Sequence, residues 1–266
     1  MIAIISPAKL MDLETQYPGV PSTTPKYVDQ SASLIKKLKK LSVGQLAELM
    51  DISLDLADVN KKRIAEWTAE HNIDNARHAV LTFSGDTYRG LQAPTMSKAE
   101  LKWAQDHLII LSGLYGMLRP LDLMKPYRLM MGTPFSPDSK TPNLYAFWSD
   151  ILTADLAARM KPDELLVNLA SGEYIKSIQM KKLGRRVITC EFKEWKEGKH
   201  VTIMTFAKQA RGMMARYMIS NKIQDPELLK GFSEGGYMFN DSLSKPDIWV
   251  FTRKLPPPVS KKKKTN

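Results

Sequence analysis

The chain has 266 residues, 43% of them hydrophobic, which suits one large domain or two small ones with a sizeable core and excludes a disordered polyelectrolyte. Its formal net charge is +11, and subtracting the four lysines Lys261–Lys264 leaves +7 on the rest of the chain, so the body itself would attract polyanions, although such an excess also serves solubility. No apolar run approaches the roughly 20 residues of a membrane span, and one cysteine, Cys190, excludes an internal disulfide and fits a reducing cytoplasm.

The N-terminal Ile2–Ser6 reads as a strand rather than a signal peptide. Leu10–Lys26, rich in Pro, Thr and Gly, reads as a loop, and Asp29–Lys40 as a helix with basic residues at its end. Ser42 with Gln45 forms a capping box opening a helix to Met50, and Asn60 suits the N-cap of another running to about Ala69. Val80–Ser84 is a second predicted strand. Ser97 with Glu100 is a second capping box, for a helix to about His107, and Leu108–Ser112 is a third strand. Gly113–Gly132 is long and turn-rich but too apolar to be disordered, so it should fold over a site or plug the core edge. Leu144–Met160 is a helix and Leu165–Ala170 a fourth strand. Arg186–Trp195 and His200–Ala207 pair as a hairpin across Glu197-Gly198, with Cys190 a buried thiol between Ile188 and Phe192. Phe206–Asn221 is a helix, and Gly236–Phe239 and Ile248–Arg253 are late strands. The expected fold is α/β: one domain over residues 1–254 with a mixed sheet, a largely parallel core and flanking helices, then a disordered basic tail over 255–266.

Four apolar runs end in serine followed by Pro or Gly, at Ser6, Ser84, Ser112 and Ser171. If the runs are parallel strands, these serines share the carboxyl edge of the sheet, where open α/β sheets place ligands. Just beyond them stand Lys9, Asp86, Tyr88, Arg89, Tyr115, Glu173, Tyr174 and Lys176, with chemistry suited to an anionic, aromatic ligand or to ordinary turns. Asp86, Glu173, Lys176, Tyr88 and Tyr174 are the catalytic candidates if a reaction takes place there. In the long loop, Arg119, Lys125 and Arg128 add charge. LADVNKKRI resembles the hairpin of a helix–hairpin–helix motif, with Lys61, Lys62 and Arg63 near phosphate, or it is a plain helical hairpin with a solvated basic turn. On the predicted helix Phe206–Asn221, Lys208, Arg211 and Arg216 share a basic face with Gly212, a mid-helix glycine that close approach by a ligand would explain. His71, His78, His107 and His200 are scattered, no ligand set has metal spacing, and no phosphate-loop or nucleophile-elbow pattern occurs, so no metal or cofactor is expected.

IISPAK at Ile4–Lys9, FSGDTYRGLQA at Phe83–Ala93, LSGLYGMLRPLDLMKPYRLMMG at Leu111–Gly132, LYAFW at Leu144–Trp148, NLASGEYIKSI at Asn168–Ile178 and KQARGMMARYMI at Lys208–Ile219 closely resemble the peroxide stress protein YaaA family. The resemblance runs from Met1 to about Phe251. Met131 stands where that family typically has Glu, and Asp58 where a hairpin Gly is common. The resemblance implies a cytoplasmic bacterial protein that limits free intracellular iron under hydrogen peroxide and so spares DNA and proteins from hydroxyl radicals. It also implies sequence-nonspecific binding of double-stranded or branched DNA, a basic cleft, and a helix–hairpin–helix element, here over about residues 42–67. Lys9, Lys61, Lys62, Arg63, Arg119, Arg128, Lys176, Lys208, Arg211 and Arg216 are the expected DNA contacts. A monomer with no membrane association is expected. The alternative is an enzyme acting on a nucleobase, a nucleotide or a damaged DNA base in a pocket at the strand ends.

Overall fold

The first strand, β1 (Ile2–Ile5), is buried along its whole length and becomes the centre of the sheet. A computed structural model describes residues 1–15 and 17–256; the basic tail Lys261–Lys264 lies outside them. In chain order there follow β2 (Leu10–Met11), α1 (Val28–Leu38), α2 (Val43–Met50), α3 (Leu54–Glu66), β3 (Arg77–His78), α4 (Ala79–Thr82), β4 (Phe83–Ser84), α5 (Asp86–Leu91), α6 (Lys98–His107) and β5 (Leu108–Ser112). Then come β6 (Gly116–Leu118), β7 (Leu123–Met124), α7 (Leu144–Arg159), β8 (Leu166–Leu169), α8 (Gly172–Ile175), α9 (Met180–Leu183), β9 (Val187–Lys196), β10 (Lys199–Val201), α10 (Met204–Ser220), β11 (Met238–Phe239) and β12 (Ile248–Lys254).

The main sheet has eight strands in the order β11-β12-β9-β8-β1-β5-β6, with β10 pairing the far end of β9. The pairings β5–β1, β1–β8, β8–β9 and β9–β12 are parallel, while β6, β10 and β11 add antiparallel edges. The five parallel strands, counted along the chain, therefore lie in the order 2-1-3-4-5. Chain progression reverses beside β1: β5 lies on one side and β8 on the other. Loops leaving β1 and β8 diverge there, which opens a crevice at their carboxyl ends.

Both capping boxes form, at Ser42–Gln45 and Ser97–Glu100. The hairpin β9–β10 turns through Glu197 and Gly198 with positive φ of 50° and 80°, and Ile188, Cys190 and Phe192 point into the core as the alternation predicts. The strand after the turn is shorter than expected, because α10 already begins at Met204. Burial of Cys190 pushes its thiol pKa up to about 12, as suits a packing residue. The same alternation brings Glu194 to full burial, where its carboxylate meets the Tyr237 hydroxyl, Arg253 Nε at 3.4 Å and the Ile203 amide at 3.3 Å. This cluster fixes the approach to α10.

Two expected elements differ. Val80–Ser84 is not a strand of the main sheet: Ala79–Thr82 is a helical turn, with Thr82 Oγ1 donating to His78 O at 2.8 Å, and only Phe83–Ser84 is extended, pairing antiparallel with β2. A short apolar run buried on every side has no period to separate strand from helix. The second helix of the hairpin starts at Leu54, capped by Ser53, not at Asn60. Asn60 is buried in mid-helix and its amide donates to Leu56 O at 2.7 Å.

Gly90 of α5 and Gly212 of α10 mark the closest helix crossing. A Cβ at Gly212 would stand 1.8 Å from Thr87 O, and one at Gly90 would stand 2.0 Å from Gln209 O. The close approach expected from a ligand at Gly212 is thus made by the backbone of α5. Among the described residues no helix is long and apolar enough to cross a membrane. Gly212→Ala forces the helices apart, since the clash is with backbone that no rotamer relieves. A loss of about 1–3 kcal/mol in urea unfolding is expected, with Gly90→Ala non-additive in the double variant; a neutral Gly212→Ala would refute the crossing.

Candidate functional site

Ser6 follows β1 and Ser171 follows β8, the two neighbours at which the strand order reverses. Ser6 Oγ accepts the Ser171 amide at 2.9 Å and donates to Ser171 Oγ at 3.3 Å, so the two strand ends are tied together. Above them lies a cavity of about 360 Å³. Its walls bring together Lys9, Ser84, Asp86, Thr87, Met130, Glu173, Tyr174, Lys208 and Arg211. Lys208 and Arg211 are one helical turn apart on α10, while Asp86 and Thr87 open α5, so the glycine crossing carries both pairs to the same cavity.

The charges in this wall are held differently. Asp86 pairs with Arg89. Glu173 Oε1 accepts the Gly132 amide at 2.9 Å, and Tyr145 donates to Glu173 O at 3.0 Å, which fixes this residue from two sides. Arg211 is largely buried, and burial lowers its pKa; its Nε reaches no hydrogen-bond acceptor among the described residues. Tyr88 lies beneath the floor, donating to Ser6 O at 3.2 Å, and burial raises its pKa well above the ordinary value. Tyr174, 2% exposed, packs its hydroxyl 3.6 Å from Met130 Sδ. Both phenols are therefore part of the frame.

Several expected site residues stand elsewhere. Ser112 is fully buried: its Oγ meets the Tyr127 hydroxyl at 2.6 Å and accepts the Tyr115 amide at 2.9 Å. Arg119 binds Asp122 at 3.0 Å, because β6 runs antiparallel to β5 and carries the chain back toward the amino edge. Lys176 faces a separate hollow with Arg185 and Arg186. Arg216 is occupied by Gln92 O, Thr95 Oγ1, Ser220 Oγ and Glu100. Arg128 is half-buried on the loop and outside the cavity wall.

In the helical hairpin, Lys61 Nζ donates to Lys39 O at 2.8 Å and Leu41 O at 2.6 Å, Lys62 pairs with Asp58 at 2.8 Å, and burial lowers the pKa of Arg63. All lie inside α3, whose amides there are used by the helix itself, so no phosphate cradle of free N–H groups forms at Asn60. Thr87 and Met130 are wall residues that the sequence did not single out. Thr87 follows Asp86 directly, whereas nothing local distinguishes Met130. Among the described residues no group of His, Cys, Asp and Glu could hold a metal ion.

The loop that supplies Met130 and Gly132 is anchored by a buried network. Tyr115 Oη accepts from Trp67 Nε1 and the Lys125 amide, both at 3.0 Å, so its own proton goes to His71 Nε2 at 2.9 Å. His71 Nδ1–H then donates to Ala69 O at 2.8 Å, which fixes a neutral tautomer. Burial, with the Lys125 charge nearby, lowers the His71 pKa below 6.5, and burial does the same to His78. The unfolded chain therefore binds protons first as pH falls through about 6.5, and stability is lost from there downward. Urea unfolding should give lower stability at pH 5.5 than at pH 7.5. His71→Gln should reduce that slope and leave the His78 part, and an unchanged slope would count against the network.

Residues 1–243 match the family described as peroxide stress protein YaaA. A UPF0246 protein of Bordetella petrii is 49% identical over 258 residues, covering 96% of this chain and 100% of the relative. One from Paraburkholderia phytofirmans is 47% identical over 259 residues, covering 96% and 99%. One from Burkholderia mallei is 46% identical over 258 residues, again covering 96% of this chain and 99% of the relative.

Proposed function

The chain belongs to the peroxide stress protein YaaA family, and we propose that it serves the peroxide stress response by binding DNA at the mouth of the strand-end pocket. Phosphates would meet Lys9, Lys208 and Arg211. The observation that carries this reading is the convergence of three cations, Lys9, Lys208 and Arg211, in the wall of one cavity on a basic chain. Cations gathered in one wall repel one another, and a phosphate among them offsets that repulsion with charge-assisted hydrogen bonds. Recognition through phosphates is independent of sequence. Limiting free iron, and with it hydroxyl radical, is the role that the family resemblance implies beside this DNA binding.

The experiment is duplex binding as a function of salt. Affinity should fall steeply as salt rises, and Lys208→Ala and Arg211→Gln should each flatten the slope of log K against log salt by about 0.9 for every phosphate that is no longer neutralised. Lys61→Ala and Lys62→Ala, inside α3, should leave it unchanged. Absent or salt-independent duplex binding sinks the reading, and a slope that responds only to the α3 variants moves the interface to the helical hairpin.

A second reading, an enzyme acting on a nucleobase, a nucleotide or a damaged base, is favoured by the two carboxylates in the cavity wall. Asp86 is tied to Arg89, whereas only one oxygen of Glu173 is taken up by the Gly132 amide, so Glu173 is the better proton carrier. Base release or nucleotide breakdown followed by chromatography should then be abolished, by about 100-fold or more, in Glu173→Gln with DNA binding kept. Equal turnover in that variant would exclude the role.

A further inference from the structure

We propose that the strand-end pocket holds one nucleotide unit, with its phosphate against Arg211 and Lys208 and its hydrogen-bond donors against Glu173. This deepens the DNA reading and rests on it for the identity of the phosphate-bearing partner. Size is the first constraint. A cavity of about 360 Å³ lies at the small end of the roughly 300–1,000 Å³ occupied by small-molecule sites; it takes one such unit and keeps a duplex at its mouth.

Charge is the second. Lys9, Lys208 and Arg211 share the wall with Asp86 and Glu173. Carboxylates repel a bare phosphate chain but accept N–H or O–H groups, so the ligand must carry donors as well as negative charge. Glu173 suits this because the Gly132 amide fixes Oε1 at 2.9 Å and Oε2 makes no hydrogen bond among the described residues. Arg211 is poised in the complementary way. Glu191, the carboxylate whose charge acts on it, is already paired with Lys193 at 3.0 Å, and Arg211 makes no ion pair among the described residues while lining the cavity.

Shape is the third. Met130, half-buried, gives an apolar surface in the same wall, against which a flat base can lie. The cavity also stands at the reversal of strand order, where the diverging loops leave a crevice that the fold does not itself fill. The unit has two possible sources with the same chemistry: a free mononucleotide, or a nucleotide swung out of a DNA strand.

The test uses the full chain and titrates deoxynucleoside 5′-monophosphates, the matching deoxynucleosides and inorganic phosphate at constant ionic strength by calorimetry. The monophosphate should bind at least about 10-fold more tightly than either fragment. Arg211→Gln should weaken it about 10-fold or more, a difference of about 1.4 kcal/mol. Glu173→Gln should weaken the monophosphate without weakening inorganic phosphate, which the lost negative charge no longer repels. Lys208→Ala, at an exposed position, serves if Arg211→Gln does not fold.

A duplex carrying one unpaired 2-aminopurine separates the sources. A fluorescence rise on binding, abolished in Arg211→Gln, supports a swung-out nucleotide, and mononucleotide binding without that rise supports a free one. Inorganic phosphate binding as tightly as the monophosphate overturns the proposal and leaves an anion site only. Duplex binding that mononucleotides neither share nor compete with also overturns it while the DNA reading stands. Mononucleotide binding without any duplex binding does the reverse.

Discussion

The contact between α5 and α10 sets the rest of the site. Gly90 and Gly212 face each other's helices so closely that a methyl group at either would overlap a backbone carbonyl. Such a crossing can exist only where side chains are missing from both surfaces. It holds α10 against β1, β8 and β9 on one side and against the start of α5 on the other. Lys208 and Arg211 on α10 are thereby set over the same cavity as Asp86 and Thr87 on α5. The buried Glu194–Tyr237–Arg253 cluster secures the segment that leads into this helix, so the placement of the cations is fixed at both ends.

The cavity combines a rigid frame with unspent polar capacity. Ser6, Ser171, Tyr88 and Tyr174 spend their hydrogen bonds on one another or on their neighbours in the frame, and burial keeps both phenols protonated. Arg211 and the outer oxygen of Glu173 do not. Several of the other expected DNA contacts are engaged: Lys61 by carbonyls, Arg119 by Asp122, Arg216 by four acceptors. Overall charge thus says that a polyanion is attracted, and the cavity wall is where Lys9, Lys208 and Arg211 converge to meet it.

Much was legible from local pattern. The capping boxes, the β9–β10 turn and the alternation around Cys190 depend on residues within a few positions of one another, and they formed as read. Ser6 and Ser171 were marked by the Ser-Pro and Ser-Gly endings of two buried runs. Val80–Ser84 carried the same ending and still began as a helical turn, because burial on all sides erases the periodicity that separates helix from strand. Asn60 had a cap-forming side chain, but Ser53 stands one turn and more upstream and its hydroxyl accepts the Leu56 amide, so it takes the cap instead. Gly212 signalled close approach correctly and its partner incorrectly, since a sequence gives the missing side chain without giving what fills the space.

By itself the sequence determined the α/β class, the strand ends, most helix starts and the excess of positive charge, all of which follow from near-neighbour chemistry and composition. Only the tertiary structure decided that β8 lies beside β1, that Ser84 reaches the cavity from a separate two-stranded ribbon while Ser112 is sealed beneath Tyr127, and that Lys9, Lys208 and Arg211 converge while Lys61, Arg119 and Arg216 are engaged elsewhere. The β1–β8 pairing and the helix crossing arise from packing between residues more than about 100 positions apart, and no local pattern records them.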